Sequence, residues 1–216
     1  MATKKKTAEV ETESEAKIIA LEKNVIEIRI RGISPLIVHK FSEKAQKQIQ
    51  AKHAHEAKQK KEARDPYADF LGALYVIKEP SDAGNDGVYG FPASGIKKAI
   101  VAACRYADGI TMTYAKGSFY VLGEDEAPDL VRIIAPAPRM RTDVVRLSGM
   151  SPKPDMRYRP EFKKGWEMNL KIMYNKRAIS LDQLVNLING AGFGVGIGEW
   201  RPERSGSWGM FEVVNG

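Results

Sequence analysis

The sequence predicts an α+β fold with the ferredoxin-like (RRM-like) element order β-α-β-β-α-β, in which two helices cover one face of an antiparallel sheet. The stretches 25–32 and 166–174 alternate between apolar and polar residues, as half-buried strands do. The stretches 93–109 and 180–192 carry apolar residues at helical spacing. A glycine-rich loop then leads from the second helix into an apolar last strand, "WGMFEVV".

The 216 residues of the chain fit a single domain with one tail and one insertion. Residues 1–24 have no apolar segment and predict a disordered tail, so the expected domain covers 25–216. The first strand follows at once, and its Ile26, Ile28 and Ile30 share one face of the sheet.

An insertion is predicted at about 43–65. Its composition favours a helix, but Ile49 and alanines are its only apolar residues. A helix that is polar on all sides does not belong to a core. Basic residues outnumber acidic ones in this segment, so we expect a basic helical insertion that projects from the domain.

The first core helix is expected to begin with Ser94 as its N-cap, and its open face carries Lys98 and Arg105. Short strands are expected on either side of it, at 70–80 and 87–92 before the helix and between 111 and 150 after it. The proline-rich basic stretch 151–164 is expected to be a loop.

The second core helix has clearer limits. Ser180 and Gln183 fit a capping box, and Gly190 is the expected end. Leu184, Leu187 and Ile188 supply the apolar face.

The composition limits the classes of function. The net charge of +7 fits either a merely basic surface or an anionic partner, most often nucleic acid. The single cysteine, Cys104, permits no intrachain disulfide and favours a reducing, cytoplasmic location. No apolar run is long enough for a membrane span, so no membrane association is expected. Three histidines and one cysteine without tight spacing predict no metal site, and nothing indicates a cofactor.

Three stretches resemble one protein family. "GISPLIVH" follows the first strand, "FPASGIKKAI" opens the first helix, and "GVGIGEWRPERSGSWGMFEV" joins the second helix to the last strand. In order and position these are similar to motifs of the CRISPR-associated RAMP superfamily, in particular the backbone subunits of multi-subunit effector complexes. Gly95 and Lys98 depart from the family's serine and glycine, and Arg105 lies one turn later than the family's helix arginine.

The resemblance implies a non-catalytic subunit that cradles a single strand of nucleic acid, with RNA favoured, and assembles side by side with copies of itself or related subunits. The gene could belong to a CRISPR system or be a stand-alone or phage-borne relative.

The residues themselves are compatible with this function. Backbone N–H groups in a glycine loop and at a helix N-terminus can hold phosphates, and tryptophan rings can stack on bases. An alternative is that the loop only packs on the first helix. The candidate binding residues are Ser94, Lys97, Lys98, Arg105, Arg139, Arg141, Gly196, Gly198, Trp200, Arg201, Arg204 and Ser205. Of these candidates, Arg139 and Arg141 belong to a basic segment, 132–164, that we expect to be nearly unopposed by acids.

Two other functions stay open. Some RAMP proteins cleave RNA without metal, and His39 lies where such a protein would place its histidine. Asp65 and Asp69 are the aspartates nearest the position of an aspartate-based cleavage site, although a helix end explains them as well. The second alternative is a basic assembly or structural protein, for example viral, that binds protein instead of nucleic acid.

Overall fold

A computed structural model of the chain describes residues 20–41, 46–47, 50–51, 53–54, 63–81, 86–146 and 154–214. Most of the predicted tail and most of the predicted insertion at 43–65 lie outside the described residues.

The described residues form an α+β structure with antiparallel sheets and four α-helices. The strands are β1 (Lys23–Gly32), β2 (Leu36–Ile37), β3 (Val76–Lys78), β4 (Val88–Pro92), β5 (Phe119–Leu122), β6 (Leu130–Arg132), β7 (Arg139–Arg146), β8 (Pro154–Phe162), β9 (Glu167–Asn175) and β10 (Phe211–Val213). The helices are α1 (Pro66–Gly72), α2 (Ala93–Ala103), α3 (Met112–Ser118) and α4 (Leu181–Gly190). None of them is long and apolar enough to cross a membrane.

The largest sheet has the strand order β10-β1-β9-β5, and all of its neighbours are antiparallel. The alternation predicted for β1 is present: Ile28 and Ile30 are buried and lie opposite Leu170 and Met168 of β9. These side chains share one core with the buried faces of α2 and α4. The remaining strands form two three-stranded sheets, β2-β8-β7 and β3-β4-β6.

The expected start of the first core helix is wrong by one or two positions. Helix α2 begins at Ala93 directly after strand β4, and Pro92 precedes it without a side-chain cap. The backbone N–H of Ala93 donates to the carbonyl of Asp129, so the pairing of β4 with β6 sets the entry into the helix. Ser94 lies inside the first turn and is exposed.

The second core helix is confirmed in detail. Ser180 and Gln183 form the capping box at the start of α4, and Leu184, Leu187 and Ile188 are buried. The helix ends at Gly190 and continues into a π-helical turn, Ala191–Val195. The glycine loop, residues 196–209, follows this turn and leads to β10.

Two local expectations are wrong. The stretch 151–164 contains β8, which pairs with β7 along its whole length, so tertiary pairing overrides the proline-rich composition. Residues 151–153 of that stretch lie outside the described residues. The expected strand at 70–80 is split between the end of α1 and β3, because Asp65 caps α1 through its carboxylate and Pro66 begins the helix.

Candidate nucleic-acid interface

A groove of about 330 Å³ runs along α2, between this helix, α3 and the glycine loop. We call it the basic groove, because four of its side chains are cationic and one is anionic. The groove is lined by Phe91, Gly95, Lys98, Ala99, Val101, Ala102, Arg105, Met112, Lys116, Val195, Gly196, Ile197, Gly198, Arg201 and Glu203.

The basic groove brings together five of the residues that the sequence singled out. Lys98 lies on α2, Arg105 lies in the 3-10 turn Cys104–Tyr106 directly after it, and Arg201 reaches the groove from the glycine loop with Gly196 and Gly198.

Lys116 also lines the groove, although no motif or pattern in the sequence singled it out. It lies on α3, in a region where the sequence predicted strands, with Thr111 as the N-cap.

Glu203 is the one carboxylate of the groove, and it contacts both arginines there. Its Oε2 accepts from Arg201 Nη2 at 2.8 Å, and its Oε1 accepts from Arg105 Nη1 at 3.2 Å. Hydrogen bonds from Arg201 foremost, and from Arg105, hold the pKa of Glu203 below its ordinary value. The carboxylate therefore joins the loop to the C-terminal end of α2 by charge-assisted contacts.

The glycine loop is folded tightly on itself and on the core. Gly198 and Gly209 have positive φ angles of 77° and 65°. A Cβ on Gly198 would lie 2.4 Å from the carbonyl oxygen of Ile37, and one on Gly209 would lie 1.7 Å from that of Ile197. Both positions therefore need glycine for close backbone packing.

Some backbone N–H groups of the loop also form hydrogen bonds within the protein. Gly196 donates its N–H to the carbonyl of Ala191, so that N–H is not available to a phosphate. Close packing against β2 and within the loop thus accounts for the glycines at 198 and 209, while Gly196 and Gly198 still border the groove.

Trp200 and Trp208, the rings that the sequence suggested for base stacking, are half-exposed and each contacts an arginine. The guanidinium carbon of Arg141 lies 5.2 Å from the ring centre of Trp200 and 4.5 Å from that of Trp208. Arg159 lies 5.5 Å from Trp200. The two indoles thus attach the glycine loop to β7 and β8 through cation–π contacts.

Several arginines of the basic segment 132–164, which we expected to be nearly unopposed by acids, pair with the acids of that segment. Arg139 donates to Glu161 at 2.9 Å, and Arg141 donates to Asp143 at 2.8 Å and to Glu161 at 3.0 Å. Arg159 is 5% exposed and lies 3.6 Å from Asp143. Because β7 and β8 pair antiparallel, their acids and arginines meet on one face and neutralise each other.

Five candidate residues neither line the groove nor contact a tryptophan, and one of them, Arg139, pairs with Glu161 as described above. Ser94, Arg204 and Ser205 are exposed at other positions of α2 and the loop. Lys97 packs over the ring of Tyr120, 3.9 Å from its centre, and burial lowers the pKa of Lys97. These residues are separate from the set that the fold brings together.

His39 lies near the glycine loop, with Nδ1 3.8 Å from Oε1 of Glu199. That distance is an ion-pair separation and too long for a hydrogen bond. His39 foremost, with Arg159 and Arg201, holds the pKa of Glu199 below its ordinary value.

The two aspartates considered for cleavage have structural contacts. Asp65 accepts from the backbone N–H groups of Tyr67 and Ala68 at the start of α1, and Asp69 pairs with Arg64 at 2.6 Å.

No protein-family model matches the chain, and no curated protein matches it. Among solved structures, the chain is similar to the crystal structure of Cmr6 from Pyrococcus furiosus, with 11% identity and a TM-score of 0.47. The match covers 90% of this chain and 100% of that chain. At this level of likeness, the fold and the site rest on the contacts of this chain alone.

Proposed function

We propose that the protein is a non-catalytic subunit that binds single-stranded nucleic acid, with RNA favoured, along the basic groove. The observation that carries this proposal is the convergence of Lys98, Arg105, Lys116 and Arg201 on one groove. These four side chains come from two helices and a loop. Such a concentration of positive charge attracts a phosphate backbone and makes its binding dependent on salt.

The topology supports a ferredoxin-like, RAMP-type core for this function. Helix α2 connects β1 to β5 with additional elements on either side, and α4 connects β9 to β10 through the glycine loop. With the sheet order β10-β1-β9-β5, this arrangement agrees with the ferredoxin-like element order and with the motif positions that resemble the RAMP superfamily.

Assembly side by side with copies or related subunits is a second part of the proposal, and it rests on the resemblance. A single-stranded RNA long enough for several subunits should shift the protein to larger species in size-exclusion chromatography with light scattering. A short RNA should not. A protein that stays monomeric on long RNA would contradict side-by-side assembly and leave binding in the groove intact.

The binding test compares two double variants with the same change in net charge. Lys98→Glu with Lys116→Glu reverses two exposed charges in the basic groove, and Lys163→Glu with Lys164→Glu reverses two exposed charges in the turn between β8 and β9. In fluorescence anisotropy with a labelled oligouridylate, the groove variant should lose about tenfold or more in affinity.

The turn variant should bind the oligouridylate nearly as the wild type does. If the two double variants lose affinity equally, binding depends on overall charge and the groove is not the site. If the wild type does not bind the oligouridylate at low salt, the protein is not a nucleic-acid-binding subunit, and the assembly alternative takes its place.

A metal-independent nuclease is the second candidate, favoured by the partly exposed His39 beside Glu199. A histidine paired with a carboxylate can accept a proton from a 2′-hydroxyl. We expect the wild type to leave labelled RNA intact in the presence of a chelator. Cleavage by the wild type that His39→Ala abolishes would replace the non-catalytic proposal with the nuclease.

A further inference from the structure

Two large aromatic side chains lie exposed beside the basic groove. Phe193 is 74% exposed, the highest value among the large hydrophobic side chains of the described residues, and Tyr106 is 65% exposed. Among the described residues, neither ring takes part in an aromatic pair or a cation–π contact. Both side chains are therefore largely exposed to solvent and make none of these ring contacts.

The backbone holds Phe193 outward. It lies in the π-helical turn Ala191–Val195, whose Ala191 and Val195 are buried at 0% and 1% exposure. The turn is thus anchored in the core on both sides of an exposed phenyl ring. π-Helical turns of this kind occur frequently at functional sites.

The two aromatic residues lie close to each other and to the groove. A Cβ placed on Gly194, the residue after Phe193, would lie 3.0 Å from the nearest ring carbon of Tyr106. Arg105, directly before Tyr106, and Val195, two residues after Phe193, both line the basic groove. Both aromatic residues therefore lie close in the chain to residues that line the groove.

We propose that Tyr106 and Phe193 form a stacking platform for the bases of a single strand whose phosphates follow the basic groove. This inference rests on the function proposed above. Proteins that bind single strands combine a basic groove for the backbone with aromatic faces for the bases. Trp200 and Trp208, which the sequence suggested for stacking, are in contact with Arg141 instead.

The position of the platform favours nucleobases over an apolar protein surface. Arg105, the residue directly before Tyr106, lines the groove and donates to Glu203, so the charged groove begins one residue from the exposed ring. An apolar partner offers no groups to the four cations of this groove, whereas a nucleic acid supplies phosphates for them beside its bases.

The test separates bases from phosphates by using two ligands. A labelled oligouridylate and an abasic oligoribonucleotide of the same length are titrated against the wild type, Phe193→Leu and Tyr106→Leu. Each variant should lose about fivefold or more in affinity for the oligouridylate, because a leucine keeps the apolar character but offers no π face. Affinity for the abasic strand should stay as in the wild type.

Tyr67→Leu is the matched control. Tyr67 is another exposed tyrosine, 62% exposed, on α1 away from the groove. This variant should bind both ligands as the wild type does. Phe193→Trp should retain affinity, and its fluorescence should be quenched by the oligouridylate and not by the abasic strand.

The outcomes distinguish this inference from the function on which it rests. A wild type that binds the two ligands equally tightly overturns the stacking platform and leaves the basic groove as a phosphate site. A wild type that binds neither ligand overturns both proposals. Leucine variants that keep RNA affinity and lose self-association would show that the rings contact protein, which also overturns the platform.

Discussion

Glu203 places a carboxylate between Arg105 and Arg201, where a phosphate of the proposed RNA would also bind. In the free protein this carboxylate satisfies both guanidinium groups. A phosphate that enters must either displace it or share the arginines with it. Under the proposed function, Glu203 would therefore oppose RNA binding in the groove, and it attaches the loop to the turn after α2.

We expect Glu203→Gln to raise the affinity for single-stranded RNA by about two- to fivefold, the range expected when one partly exposed ion-pair partner is removed. Glu126→Gln, which neutralises an exposed glutamate in the turn after β5, is the control and should change affinity very little. Both are measured by anisotropy at the same salt concentration. A loss of affinity in Glu203→Gln would mean that the carboxylate orients the arginines for binding.

The contacts of Glu203 with Arg201 and Arg105 make a contribution to stability that depends on pH. Because Arg201 and Arg105 lower the pKa of Glu203 in the folded state, its contribution is present above the pKa of an unfolded glutamate. It is lost as the pH falls through the lowered, folded-state pKa. Urea unfolding should therefore show Glu203→Gln less stable than the wild type at neutral pH, and the difference should shrink in acid. A difference independent of pH would exclude the charge as its cause.

At the scale of elements, β7 and β8 hold the glycine loop in place through Arg141. This side chain lies against Trp208 and Trp200 and bonds to Asp143 and Glu161. Both acids are almost fully buried, with side-chain exposures of 4% and 1%. The positive charge of Arg141 therefore compensates the negative charges of these two buried carboxylates.

We expect Arg141→Ala to lower the free energy of unfolding by about 3 kcal/mol, because it leaves buried carboxylates with fewer partners. Arg139→Ala removes a more exposed arginine that also bonds to Glu161, with 61% of its side chain exposed, and should cost clearly less. Urea denaturation followed by circular dichroism measures both values. A stable Arg141→Ala protein that selectively loses RNA binding would show that Arg141 belongs to the nucleic-acid interface.

The sequence predicted the elements that carry local signals. The capping box at Ser180 and the alternation in β1 are local, and both are present in the structure. The ion pairing between β7 and β8 depends on which residues lie opposite each other, so a count of arginines over 132–164 could not reveal it. The packed side chains of α3 likewise gave no pattern that distinguished a helix from short strands.

At the scale of the whole molecule, the basic groove is a product of tertiary structure. Lys98 and Arg201 were candidates from the sequence, but Lys116, Tyr106 and Phe193 became relevant only because the fold brings their elements together. Because residues such as Lys98 and Arg201 lie about a hundred positions apart in the sequence, no local sequence pattern shows that the fold brings them together.

The salt dependence of binding tests whether RNA binding depends on the net charge of the whole molecule or on the cations of the basic groove. If the four basic side chains of the groove neutralise about four phosphates of a single strand, the slope of log affinity against log salt should be about −2.8. Lys98→Ala with Lys116→Ala removes two of these cations and should reduce the slope by about 1.4.

Lys163→Ala with Lys164→Ala removes the same charge from a distant turn and should leave the slope unchanged. Titrations at several salt concentrations measure all three slopes. Equal reductions in both double variants would mean that the net charge of +7 binds RNA without a defined path. A slope that changes only in the groove variant ties the released counterions to the basic groove, because counterion release counts only the phosphates that the protein neutralises.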